Sequence, residues 1–232
     1  MSRVPLDVLI SRFGLGAAEA ARLGAVLEVI EDDEHAPTSV RDAATALDVH
    51  VADSLTALAI EGIRSAQRIT DLGSGAGFPG LALAIALPYA EVALVESQRR
   101  KCEFLQRLAA TAGADNARVV VGRAEQWAEG IGWADAVTAR ALAPQPVVLE
   151  YAAPLLRLGG VLVDWRGARD VDEELAAAAA AHELGLELRE IRWVEPYAGA
   201  RDHHLHVFAK REATPERFPR RPGIARKRPL GA

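Results

Sequence analysis

Apolar positions along the chain fall into two regimes. Up to about residue 65 they recur at helical spacing, first Leu6, Leu9, Ile10 and Phe13, then Ala20, Leu23, Leu27 and Ile30. The acid-rich stretch "EDDEHAPTSVRD" (31–42), with Pro37 inside it, interrupts that pattern as a loop. "DSLTALAIEGI" resumes it, with Asp53 placed as the N-cap of a helix. From Gln67 the pattern changes to short apolar runs alternating with longer amphipathic ones. "RITDLG", "EVALVES", "ARVVVG", "ADAVTARAL" and "VLVDW" have the length and composition of buried strands. Between them, "GLALAIALP" is a helix stopped by Pro88, and "RRKCEFLQRLAATAG" carries an apolar stripe of Cys102, Leu105, Leu108 and Ala109 up to a C-cap at Gly113. "VVLEYAAPLLRLGG" reads as a helix ending at Gly159 and Gly160, and "DEELAAAAAAHELG" as one more. "LELREIRWV" and "HHLHVFAK" close the series as two strands with no helix between them.

Repeated strand–helix units imply an α/β fold: a doubly wound, mainly parallel sheet of about seven strands with an antiparallel C-terminal edge and helices ahead of it. The chain divides into an N-terminal helical extension (1–65), a sheet domain (66–210) and a tail (211–232). Ligands on such sheets sit beyond the carboxyl ends of the strands.

Charge and cysteine content narrow the setting. The formal net charge is −5, yet residues 210–228 hold eight basic and two acidic side chains. That segment is +6 and leaves −11 on the rest, a distribution that suits a polyanionic partner as well as a solvated tail. Cys102 is the single cysteine, which rules out an intramolecular disulfide and points to a reducing compartment, the cytoplasm. Asp7 and Arg12 break the first apolar run, which makes a poor signal peptide. No apolar run approaches the roughly 20 residues that a membrane helix needs.

The strand ends carry the chemistry. The first strand runs into Asp71-Leu72-Gly73-Ser74-Gly75-Ala76-Gly77-Phe78-Pro79-Gly80, and Gly75, Gly77 and Gly80 fit the dinucleotide fingerprint G-x-G-x-x-G. The second ends in Glu96-Ser97, where a carboxylate can take both hydroxyls of a ribose. The third is followed by Ala124-Glu125 and the fourth by Arg140. An acid at Asp71 would repel a pyrophosphate but suits an amino or sulfonium group. The set Asp71, Glu96 and Glu125 therefore fits S-adenosyl-L-methionine better than NAD. Each acid also has a purely structural use, as a cap of the turn or helix that follows.

These residues resemble the bacterial small-subunit (16S) ribosomal RNA guanine-N7 methyltransferases, the family once called glucose-inhibited division protein B. The resemblance runs through "TSVRD", "HVADSL", "TDLGSGAGFPGLALAI", "LVESQRRKCEFL", "GRAEQ" and "TARALA", spanning Thr38 to Ala143, with an echo in "RDHHLHVFAK". It implies a class I S-adenosylmethionine-dependent methyltransferase, a Rossmann-like fold. Asp71, Gly73, Gly75, Phe78, Glu96, Ser97, Ala124, Glu125 and Arg140 would then hold the cofactor, whose product is S-adenosyl-L-homocysteine. Arg140 would also position the reacting groups. His50, Asp53 and Ser54 of "HVADSL" would shape the acceptor pocket, although Asp53 as a helix cap and His50 as a packed side chain are the plain alternatives.

The implied partner is 16S ribosomal RNA or the small ribosomal subunit, with no membrane and no metal. Arg41, Arg166, Arg201, Arg220, Arg221 and Lys227, with Arg3 and Arg12, would contact phosphates, which orient RNA without reading its sequence. On this reading the tail serves RNA and leaves the cofactor alone. His203, His204 and His206 lack a fourth ligand and make a poor metal site. A non-catalytic ribosome-assembly factor on the same fold and an NAD-dependent oxidoreductase are the alternatives.

Overall fold

The computed structural model describes residues 6–231; Arg3 lies outside them. Seven strands form one sheet: β1 (Arg68–Leu72), β2 (Glu91–Glu96), β3 (Ala117–Val121), β4 (Ala134–Arg140), β5 (Leu156–Arg166), β6 (Leu186–Trp193) and β7 (His204–Lys210). Their order is β3-β2-β1-β4-β5-β7-β6, parallel except for β7, which runs antiparallel to both β5 and β6. The helices are α1 (Leu6–Phe13), α2 (Ala17–Asp32), α3 (Ala43–Ala46), α4 (Asp53–Leu55), α5 (Glu61–Arg64), α6 (Gly80–Ala86), α7 (Arg99–Thr111), α8 (Gln145–Ala152), α9 (Val171–Glu183) and α10 (Ile224–Lys227).

Alternation along each strand sends neighbouring side chains to opposite faces, and two apolar layers result. One face buries Ile69, Leu94, Ala136, Val163 and Val207 under α6, α7 and the N-terminal helices, which contribute Leu9, Leu23 and Ile30. The other buries Leu72, Val95, Val137, Leu162 and Phe208 under α8 and α9, where the alanine run supplies Ala177, Ala180 and Ala181. The N-terminal helices thus share the core of the sheet. Among the described residues no helix is long and apolar enough to cross a membrane.

Two boundaries depart from the expected ones. The helix α8 ends at Ala152, because Pro154 offers no N–H to continue its hydrogen-bond ladder. Gly159 and Gly160 lie inside β5, where a Cβ on Gly160 would stand 2.8 Å from the Asp135 carbonyl oxygen. Asp53 caps no helix start. It follows a π-helical turn (Leu47–Ala52) directly and has αR dihedrals itself, while the capping carboxylate is that of Asp42, which accepts from Thr45 N–H at 2.9 Å.

Beyond β7 the chain folds back over α8. Phe218 and Ala225 enter the α8–α9 layer, and Arg220 forks onto Glu150, with Nε to Oε1 at 2.8 Å and Nη2 on Oε2. The Glu150 side chain is 1% exposed and that of Arg220 23%. A second buried group sits on the same face near the end of β5. Asp164 accepts from Gln145 Nε2 at 3.0 Å and faces Arg166 Nε at 3.4 Å, and burial pushes its carboxyl up to about 7. The neighbouring His206 is pushed down to about 4 by burial.

Removing one partner of a buried ion pair leaves the other charge without compensation. Arg220→Ala is expected to lower unfolding free energy by about 2 kcal/mol, below the fully buried value because the guanidinium is partly solvated. Denaturant titration checks it. For Asp164, the folded carboxyl holds its proton to about 7 while the unfolded one loses it near the ordinary value of 3.8. Its contribution therefore declines as pH rises through that window and is constant above it. Asp164→Asn should gain stability relative to the parent from pH 4 to 7, by about 3 kcal/mol in all. Unfolding curves at pH 4.5, 6 and 7.5 read this directly.

Candidate functional site

The turn after β1 needs its glycines for conformation and for space. Gly73, Gly75 and Gly77 have φ of 68, 52 and 98°, in the left-handed region that other residues enter at a cost. A Cβ on Gly73 would also lie 2.6 Å from Leu142 Cδ1, and one on Gly80 2.7 Å from Asp71 Oδ2. The loop is tied to β2 by Gly73 N–H donating to the Val95 carbonyl at 2.9 Å and by Gly75 N–H donating to Glu96 Oε2 at 3.2 Å. The other Glu96 oxygen accepts from Gln98 N–H at 2.8 Å.

Asp71 does not face the ligand side. It is fully buried, and its Oδ1 accepts from Thr138 Oγ at 2.8 Å, across the pair that registers β1 against β4. Burial raises its pKa. The carboxylate expected to meet an amino or sulfonium group is thus buried behind the loop and bonded to β4.

A cleft of about 240 Å³ opens beyond the strand ends. Gly73, Glu96, Ser97, Ala124 and Glu125 line it as the sequence suggested. Tyr151 and Arg226 line it too, and nothing in their local sequence announced this. Ala141, with φ of 52°, turns the chain at the end of β4 and brings Leu142 to the cleft. A non-glycine residue held in that region is a local cost that the surrounding packing sustains. Cys102 is buried with Sγ donating to the Glu96 carbonyl at 3.1 Å, and burial raises its pKa, so it is an inert core thiol.

Arg140 points to the other side of the loop. Its Nη1 donates to Asp53 Oδ2 at 2.8 Å and to the Val49 carbonyl at 3.2 Å, and its Nη2 faces His50 Nδ1 at 3.4 Å. The π-helical turn brings Val49, His50 and Asp53 to one guanidinium. Such turns often mark functional positions. The pair is nearly dry, with side-chain exposures of 16% for Arg140 and 5% for Asp53. The second Asp53 oxygen accepts from His203 Nδ1 at 3.1 Å, and Trp165 Nε1 donates to the Asp53 carbonyl at 3.1 Å.

His50 stacks on Phe78, with ring centroids 5.0 Å apart and an interplanar angle of 15°. The Arg140 guanidinium lies 5.9 Å from the same phenyl centroid. Burial and then Arg140 push His50 down to about 4, so its ring is neutral near pH 7. A guanidinium can only donate, so Nδ1 is the acceptor and Nε2 carries the proton. That proton goes to Thr38 Oγ1 at 2.9 Å. Phe78 thus joins the glycine turn to the cluster of Arg140, Asp53 and His50.

The remaining basic residues separate by partner. Arg166 is held by Asp164, Glu173 and the Ala143 carbonyl, and Arg220 by Glu150; both are internal struts, which corrects their assignment to RNA. Arg12 likewise donates to the Pro196 and Glu195 carbonyls. Ser54 is fully buried and donates to the His50 carbonyl, so it supports the pocket without reaching a ligand. Arg201, Arg221 and Lys227 are exposed and Arg41 half-buried. His203, His204 and His206 point to three different partners, and among the described residues no group of histidine, cysteine and carboxylates could hold a metal.

Comparison with known proteins bears on this geometry. Solved structures share the fold at low identity. A S-adenosylmethionine-dependent methyltransferase from Aquifex aeolicus superposes with a TM-score of 0.57 at 15% identity, covering 81% of this chain and 97% of that one. Fibrillarin from Aeropyrum pernix, in complex with S-adenosyl-L-methionine, superposes at 0.53 and 20% identity, covering 68% and 73%. Curated relatives are closer. The ribosomal RNA small subunit methyltransferase G of Syntrophomonas wolfei is 39% identical over 86% of this chain and 94% of its own. The protein of the same name from Symbiobacterium thermophilum is 36% identical over 83% and 82%. The family model described as rRNA small subunit methyltransferase G matches residues 27–197, a stretch that holds the glycine turn, Glu96, Glu125 and the Arg140–Asp53 pair. On this evidence the chain belongs to the rRNA small subunit methyltransferase G family.

Proposed function

We propose that this protein methylates N7 of a guanine in the RNA of the small ribosomal subunit, with S-adenosyl-L-methionine as donor, in the cytoplasm. The observation that carries the reading is Phe78, which links a glycine turn braced by Glu96 to the acceptor-side cluster of Arg140, Asp53 and His50. The residues present fit the donor. Gly73 keeps a backbone surface open where a Cβ would strike Leu142, and Glu96 offers an acceptor for ribose hydroxyls at the rim of the cleft. Bound there, the donor supplies a methyl group to the guanine N7 lone pair while the carbon–sulfur electron pair returns to sulfur, leaving S-adenosyl-L-homocysteine.

Guanine N7 carries no proton, so the protein needs no general base. Its work is to align nucleophile, carbon and leaving group and to keep water away. Arg140 is suited to position the acceptor, because three partners hold its guanidinium in one orientation. Neutral His50 stacked on Phe78 extends the wall without adding charge beside an electron-deficient centre. The family comparison and the absence of any feature favouring hydride transfer set the oxidoreductase reading aside. The exposed Arg201, Arg221 and Lys227 remain in the proposal as phosphate contacts.

Three outcomes test this. Glu96→Ala should abolish calorimetric binding of S-adenosyl-L-homocysteine while the chain stays folded. Asp53→Asn releases Arg140 and should cut single-turnover methyl transfer to small ribosomal subunits by about 100-fold with little change in cofactor affinity. The single-turnover rate should be flat from pH 6 to 9, since no base is titrated and His50 is already neutral. A rate that climbs tenfold per pH unit below pH 7 would show that a base is required.

A further inference from the structure

The segment after β7 lies outside the stretch matched by the family model, yet it is seated on the body. Phe218 and Ala225 are buried under the α8–α9 layer and Arg220 is forked onto Glu150. That path brings α10 to the rim of the cleft that Glu96 borders, where Arg226 lines the wall with Tyr151 and Glu125. Two hydrogen bonds seat it there. Gly223 N–H donates to Glu125 Oε1 at 3.3 Å, from a backbone with φ of 83°. Arg226 Nη2 donates to the Leu142 carbonyl at 3.0 Å. Tyr151 lines the cleft with them, its pKa raised by burial first and by the Glu125 charge next.

We propose that Arg226, carried on the C-terminal segment, forms one wall of the methyl-donor site and holds the adenosine end of the cofactor. This rests on the donor reading above. Adenosine presents a ribose diol and a flat base, and the cleft has an acceptor for the first at Glu96. Arg226 and Tyr151 supply a planar, weakly hydrated cation and an aromatic ring for the second. A guanidinium has five donors in a fixed fork, and the bond to the Leu142 carbonyl holds this one at the cleft wall while leaving donors for a base edge. The tail therefore serves the cofactor. In the proposal the tail has this role beside the phosphate contacts of Arg221 and Lys227.

Point variants test this without the exposed core that truncation would leave. S-adenosyl-L-homocysteine is titrated calorimetrically into the full chain, Arg226→Ala and Arg226→Lys, with thermal unfolding as a check on folding. Binding to small-subunit RNA is measured in parallel at moderate salt. Both variants should weaken S-adenosyl-L-homocysteine about tenfold. Both should raise KM for the donor more than they lower kcat, and Arg226→Lys, which keeps the charge, should bind RNA as the full chain does. Unchanged S-adenosyl-L-homocysteine affinity in both variants would overturn the proposal while the donor reading stood. So would full affinity in Arg226→Lys beside a loss in Arg226→Ala, because charge and not the planar wall would then be what matters. Failure of the unaltered chain to bind S-adenosyl-L-homocysteine would overturn the donor reading itself.

Discussion

The ion pair between Arg140 and Asp53 ties the end of β4 to the N-terminal helices, and His50, His203 and Trp165 are arranged around it. An almost dry guanidinium must be matched by acceptors on several sides, and here a carboxylate, a backbone carbonyl and an imidazole nitrogen provide them. The π-helical turn is what lets one short segment deliver all three. Once Arg140 is placed, the tautomer of His50 follows, and with it the bond to Thr38. His203 and Trp165 then fix Asp53 from the sheet side, through a side chain and a backbone oxygen. The N-terminal helices are thus part of the site as well as part of the core.

At the glycine turn the order of events is set by backbone. Glycines in left-handed conformations turn the chain away from β1, and Glu96 holds the turn by the Gly75 N–H. Asp71 adds rigidity from beneath, where burial favours its neutral form and Thr138 supplies a hydroxyl donor. Two carboxylates that look equivalent in sequence therefore do different work. Glu96 stands at the rim of the cleft, and Asp71 never meets it. The C-terminal segment adds Arg226 to the cleft wall, and Arg220 on the same segment is paired with the buried Glu150 of α8.

Much of this was legible before any coordinates. The alternation of strand and helix, the hairpin at the C-terminal edge, the glycine turn and the acid at the end of β2 follow from periodicity and from the few residue types that tolerate those conformations. Other assignments were misplaced for a common reason. Asp53 has the residue type and position of a cap, but Arg140, 87 residues away, claims its carboxylate. Arg220 sits in a basic tail and Arg166 at the end of a strand, yet Glu150, and Asp164 with Glu173, lie within reach once the sheet is assembled. Tyr151 and Arg226 had no signal at all, because each belongs by local sequence to an ordinary helix or an ordinary basic tail.

By itself the sequence determined the sheet, its winding and the ends of the strands at which ligands gather, because these depend on short-range pattern and backbone conformation. It also identified the glycines and the terminal acid, whose constraints are local. Only the tertiary structure decided which charged groups face a cleft and which are neutralised inside the protein. That outcome depends on partners brought together from distant parts of the chain, as Glu150 is with Arg220 and Asp53 with Arg140 and His203. A side chain's charge is written in the sequence, but its use is settled by what desolvates it and what it then pairs with.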